Sequence, residues 1–190
     1  SERYIEKCSR GKKAFGGQKI KPLSLAGRGL FLEKYISEIR KCVSRHKRAV
    51  LHFNDSEEVL EFASSKICTT VSREGPATPD HMLRTKRIPC FIKVKNSPLN
   101  LKTSEIEDQI ESYAKAHARY YKRYAKPGMF MLDPYPTVIL IPGVGMFTTG
   151  KDSASAEIVS EIYEHSVSVM RAASFIDRYV SLPPAQAFEI

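Results

Sequence analysis

Four cysteines in 190 residues, none of them in a CxxC pair, are too few and too scattered for a disulfide framework or a zinc knuckle. Cys8, Cys42, Cys68 and Cys90 therefore read as reduced thiols. No apolar run approaches the roughly eighteen residues of a membrane span, and no secretory leader opens the chain. A soluble, cytoplasmic protein without a membrane partner is expected. Blocks of one charge are missing as well: the formal net charge is +9, yet the cations are spread along the chain. Much of the surplus lies in the first fifty residues, including Arg10, Lys12, Lys13, Lys19, Lys21, Arg45, Lys47 and Arg48. Without an RNA-binding signature this charge does not make nucleic acid an expected partner.

What is present is an alternation of helix and strand signals. Leu32, Ile36, Ile39 and Val43 recur at helical spacing and predict a helix from about Leu30 to Arg45. Ala49 to Phe53 reads as a buried strand, and Asp55 with Glu58 predicts a capping box for the next helix. Gly75, Pro76, Thr78, Pro79 and Asp80 mark a loop containing one short helix, with Thr78 as cap and Pro79 at its first position. Cys90 to Lys95 predicts a strand, and Ser104 with Glu107 predicts the cap of a long helix whose stripe is Ile106, Ile110, Tyr113, Tyr120 or Tyr121, and Tyr124. Val138 to Ile141 predicts a strand running into a glycine turn, with a second short strand at Met146 to Thr148. Asp152 or Ser153 then caps a helix to about Ile176, with Val159, Ile162, Tyr163, Val169, Met170 and Ala173 on its buried side. These elements predict an α/β domain with layers in αβα order and a mixed sheet.

The glycine turn fits two nucleotide motifs in part. Gly145 to Lys151 (GMFTTGK) fills seven places of a P-loop, but Asp152 stands where a hydroxyl must bind magnesium, and its carboxylate repels phosphate. Gly143-Val144-Gly145 begins a dinucleotide fingerprint that lacks its third glycine. On physical grounds Gly143, Gly145 and Gly150 serve sharp backbone turns.

The string VILIPGVGMFTTGKDSASAEIVSEIYEHSVSVMRAA resembles the closing segment of class II aldolase/adducin domains, with Pro142 and Gly143 at the place of a His-Gly pair. Across the chain, HFNDSEEVLEFASSK, GPATPDHMLRTKRIP, DPYPTVILIPGVGMFTTGKD and LPPAQAFEI together resemble the centre of the bifunctional rhamnulose-1-phosphate aldolase/short-chain alcohol dehydrogenase family. The resemblance implies that residues 1–25 are the tail of a preceding aldolase domain and a linker. Residues 26–190 would be a degenerate class II aldolase-like domain that stops before a dehydrogenase. The implied partners are those flanking aldolase and dehydrogenase domains, with a homo-oligomer and a sugar phosphate as further candidates. In such a parent protein zinc serves cleavage of rhamnulose 1-phosphate and NAD serves oxidation of lactaldehyde. Proline cannot ligate zinc, so no catalytic residue, zinc or NAD is expected within this segment.

Two further readings stay open. His81, Arg84, Lys86 and Arg87, with Gly143 and Gly145, are the candidates for binding a sugar phosphate, either in support of the parent or as an active aldolase site. An RNA-binding or interaction module rests on charge and fold alone. His46, His52, His117 and His165 lack HxH or HExxH spacing, so a metal, if any, would need His52 with His81. On one helix Tyr120 to Tyr124 cannot all face one way, so part of the ring set is expected in the core and Lys122 and Arg123 outside. Lys93 and Lys151 have no visible means of acidifying their amines for Schiff-base chemistry.

Overall fold

The computed structural model describes residues 2–189. Ser1 and Ile190, which end the expected tail and the expected aldolase-like domain, lie outside the described residues. In chain order the elements are α1 (Glu2–Ser9), α2 (Leu25–Val43), β1 (Val50–Asn54), α3 (Glu57–Ala63), α4 (Cys68–Val71) and α5 (Pro79–Thr85). They continue as β2 (Cys90–Phe91), α6 (Thr103–Tyr124), β3 (Val138–Ile141), β4 (Gly145–Gly150), α7 (Ser153–Ile176) and α8 (Pro184–Phe188).

The sheet has the order β1-β4-β3-β2. β4 runs antiparallel to both β1 and β3, and β2 runs parallel to β3. Alternation along the central strands divides the core in two. Ile139, Ile141 and Phe147 pack with Phe31, Tyr35 and Ile39 of α2 and with Ile106 and Ile110 of α6. Val138, Leu140 and Met146 point the other way, onto Val59 and Phe62 of α3 and Tyr163, Val167 and Met170 of α7. A strand buried on both faces reads as an unbroken apolar run because both alternating sets of side chains are covered, as VILI at 138–141 is. The predicted αβα layering and mixed sheet are thus the observed fold.

Residues 2–23 lie against this domain. Phe15 is fully buried and meets the ring of Phe62 at 4.9 Å, Lys12 Nζ donates to the Phe175 carbonyl at 2.7 Å, and Gln18 pairs with Ser65 as an isolated bridge.

Several element starts differ from expectation, each for a visible reason. α2 begins five residues early, at Leu25, because the Ser24 hydroxyl accepts from Gly27 N at 3.1 Å and caps a helix whose glycines had hidden it. Asp55 caps nothing; its carboxylate takes Arg28 Nε at 2.7 Å, and Ser56 is the residue preceding α3. α6 starts one residue before Ser104, because Glu105 Oε2 accepts from Lys102 N at 2.8 Å while Glu107 is drawn to Arg45. The strand expected to Lys95 is two residues long. Val169 of α7 is exposed rather than buried. Thr78 does cap α5, accepting from His81 N at 3.3 Å. Asp152 caps α7 by accepting from Ser155 N at 2.7 Å. No helix among the described residues is long and apolar enough to cross a membrane.

Candidate functional site

The glycine turn joins β3 to β4 and is closed on itself. Gly143 has φ +79°, its N–H donates to Ser64 Oγ at 3.0 Å, and its carbonyl accepts from Leu23 N at 2.8 Å. Val144 N donates to the Ile141 carbonyl at 3.0 Å. Gly145 has φ +135°, and a Cβ built on it would meet the Asn54 carbonyl at 2.6 Å. Residues 145–150, six of the seven places of the partial P-loop, form β4 itself, with Met146 to Thr148 paired on both sides. An anion cradle needs free N–H groups, and the turn spends those of Gly143 and Val144 on protein oxygens. The turn therefore does not fit a nucleotide or NAD.

α5 presents His81 to α7, where Nδ1 lies 3.1 Å from Ser166 Oγ. The same hydroxyl lies 3.2 Å from the Ile162 carbonyl, and Ser166 is fully buried. The pair packs α5 against α7. The His81 ring also meets His165 edge-on at 5.6 Å. Burial, and then the neighbouring His165, hold the His81 imidazole below its ordinary pKa.

Lys86 turns inward instead of joining His81. Its Nζ donates to the Asp133 carbonyl at 2.6 Å and also to that of Tyr135. Burial pushes this amine down to about 8, and its backbone sits at φ +60° and ψ 175°, a conformation seldom adopted outside glycine. Arg87 donates to the Arg73 carbonyl at 3.3 Å and lies over the Tyr120 ring at 5.9 Å from its centroid. Arg84 is exposed on α5. The four residues expected to gather around one anion thus face four directions.

His52 lies on edge strand β1, opposite Thr148. Thr148 Oγ1 donates to the Ala156 carbonyl near the start of α7, whereas His81 touches Ser166. At 1.5 Å per helical residue these two points on α7 are about 15 Å apart. His52 and His81 do not converge, and Pro142 offers no donor, so the residues present do not fit a zinc ion. Among the described residues no group of three His, Cys, Asp or Glu side chains is arranged to hold a metal.

A polar network outside every motif ties the end of β1 to α7. Asn54 Nδ2 donates to Ser160 Oγ at 3.1 Å and to Glu164 Oε2 at 2.9 Å, and the Ser56 hydroxyl donates to Glu164 Oε1. Further along α7, Ser168 donates to Glu58 at 2.7 Å and Arg171 to Glu61 at 2.7 Å. These pairs join residues about a hundred positions apart and have no local signature. The last two join α3 to α7 beside the apolar contact of Val59 and Phe62 with Val167 and Met170.

A family model described as aldolase class II, second domain, matches residues 32–190. An uncharacterized oxidoreductase, YuxG of Bacillus subtilis (strain 168), is 30% identical over 192 residues, covering 100% of this chain and 28% of that protein. The chain thus spans less than a third of the curated relative it matches. No solved structure matches it.

Proposed function

Because this chain belongs to the family of class II aldolase second domains, we propose that it is a supporting, non-catalytic aldolase-like segment of a longer two-activity protein. The parent would be a rhamnulose-1-phosphate aldolase joined to an NAD-dependent lactaldehyde dehydrogenase in sugar catabolism. The family match and a much longer relative named an oxidoreductase favour a fusion of these two kinds of activity. Zinc and NAD would belong to the flanking domains of the parent, which are the partners this segment would hold.

The observation that carries the reading is the β3–β4 turn. Pro142 stands where the resembled families place a metal-binding histidine, and the Gly143 N–H and carbonyl are tied to Ser64 and Leu23. A turn fixed in this way serves packing. It can brace neighbours without taking part in their chemistry.

The test compares this chain with the full parent protein in two assays, cleavage of rhamnulose 1-phosphate and lactaldehyde-dependent reduction of NAD, with zinc measured by mass spectrometry on both. The chain alone is expected to show neither activity nor stoichiometric zinc, and the parent both activities. Turnover by the chain alone with one zinc per molecule would overturn the proposal, as would a parent that lacks either activity.

A further inference from the structure

The described residues contain a cavity with unbalanced charge that no motif anticipates. It has a volume of about 630 Å³ and lies between the segment at Lys19, the end of α3, α4, the end of β2 and the β3–β4 turn at Pro142. Lys19, Lys66, Arg73 and Lys93 line it, and among the described residues none of their charged tips meets a carboxylate or another acceptor. Glu74, its one acidic lining residue, is already paired with Arg178 at 2.9 Å. A larger cavity beside α3 makes the contrast. There Lys12, Lys13, Arg28 and Arg171 face Asp55, Glu57, Glu58 and Glu61, and two of those pairs are formed. That cavity is electrically closed; the first is not.

Ser65, at 5% exposure, belongs to the floor of the same cavity, with its hydroxyl oxygen sealed beneath the surface. Gln18 pairs with Ser65 through the backbone, and Lys19 N and Ile20 N both donate to the Ser64 carbonyl, at 2.8 and 3.1 Å. The floor is therefore built of backbone hydrogen bonds, with four exposed cations at its rim.

We propose that this cavity binds a small phosphate-bearing anion, with Lys66, Lys93, Arg73 and Lys19 closing around it. Cavities of about 300–1,000 Å³ take small organic ligands, so the volume suits a phosphate ester or a pyrophosphate. Lysine and arginine tips with no carboxylate partner recognise phosphate through charge-assisted hydrogen bonds. The site is separate from His81, Arg84, Lys86 and Arg87 and does not depend on the parent's catalytic activities.

Titration calorimetry on the chain with pyrophosphate, inorganic phosphate and glycerol phosphate tests this, with far-ultraviolet circular dichroism checking that each variant folds. One saturable site is expected for at least one of these. Tighter binding of the ester than of inorganic phosphate would assign the site to a phosphorylated small molecule, and the reverse to the free ion. The Lys66→Gln/Lys93→Gln variant is expected to weaken binding about tenfold or more. Lys7→Gln/Lys13→Gln removes the same charge from exposed positions outside the cavity and is expected to change affinity less than about twofold. No saturable binding, or equal losses in both double variants, would overturn the proposal. So would binding of single-stranded RNA that pyrophosphate fails to displace.

Discussion

Gly145 turns directly against the carbonyl of Asn54, leaving 2.6 Å between that oxygen and the point where a Cβ would stand. The contact is between two backbones, so no flexible side chain can move aside, and φ +135° is strained for any L side chain. Gly145→Ala is expected to cost about 2–4 kcal/mol. Gly29 is the control: it lies within α2 with open space around its Cα, so Gly29→Ala should stabilise by about 0.5–1 kcal/mol. Urea midpoints measure both. Similar midpoints for Gly145→Ala and the parent chain would mean that β1 relaxes away from the turn at little cost.

Asn54 and Glu164 form the strongest polar link between β1 and α7. Glu164→Ala leaves the half-buried Asn54 amide and Ser56 hydroxyl without their acceptor, which should cost about 1–3 kcal/mol. If the three act as one network, the Asn54→Ala and Glu164→Ala effects will not add, and their coupling should be about 1 kcal/mol. A double-mutant cycle by chemical unfolding reads it directly. Additive losses would mean that each side chain is held by its other contacts.

The elements legible in the sequence are those whose signals are local. α7 has its cap at Asp152 and a long apolar stripe; β3 is an unbroken apolar run; α5 has Thr78 and Pro79 at its start. The misread starts were settled by distant partners. Arg28 removes Asp55 from its expected cap, Arg45 occupies Glu107, and the packing of Phe31 and Tyr35 outweighs the low helix propensity of Gly27 and Gly29. The site was less legible for the same reason. Lys86 looked like a neighbour of His81, but its amine reaches carbonyls 47 and 49 residues away. Lys19, Lys93 and the pair Lys66 and Arg73 that flanks α4 come from three separate segments, and no motif in the sequence joins them.

Tyr120, Tyr121 and Tyr124 of α6 do not divide between core and surface as expected. Lys122 and Arg123 are exposed, but all three rings are half-buried outside the core, where α8 covers them. Phe188 meets the rings of Tyr120, Tyr121 and Tyr124 at 5.5, 5.6 and 5.9 Å. Phe188→Ala should cost about 1–2 kcal/mol, less than a fully buried ring because the residue is half-exposed. The effect should also be local. Limited proteolysis is expected to cut within residues 180–189 several times faster in the variant, with the other segments protected as before. Uniformly faster cleavage along the chain would mean that α8 supports the whole fold.

Two buried bases set opposite ends of the stability profile against pH. His117 on α6 stacks on Tyr113 at 6.2 Å, and burial, then the nearby charge of Lys86, push its pKa from 6.5 down to about 4. The folded state therefore binds fewer protons than the unfolded chain between these values. The contribution is fully present above pH 6.5 and is lost as pH falls through about 4. Allowing for partial solvent exposure it is about 1–2 kcal/mol. Lys86, lowered from 10.5 to about 8, has the same sign in a higher window. Its contribution is absent at pH 7 and grows as pH rises from about 8 to 10.5. Urea unfolding from pH 4 to 10 on the parent chain, His117→Gln and Lys86→Met separates them from the carboxylates that also titrate in acid. His117→Gln should lose less stability than the parent chain between pH 6.5 and 4. Lys86→Met should lack the alkaline rise while being less stable throughout, because the Asp133 and Tyr135 carbonyls lose their donor. Parallel profiles for all three proteins would show that neither base is desolvated by folding.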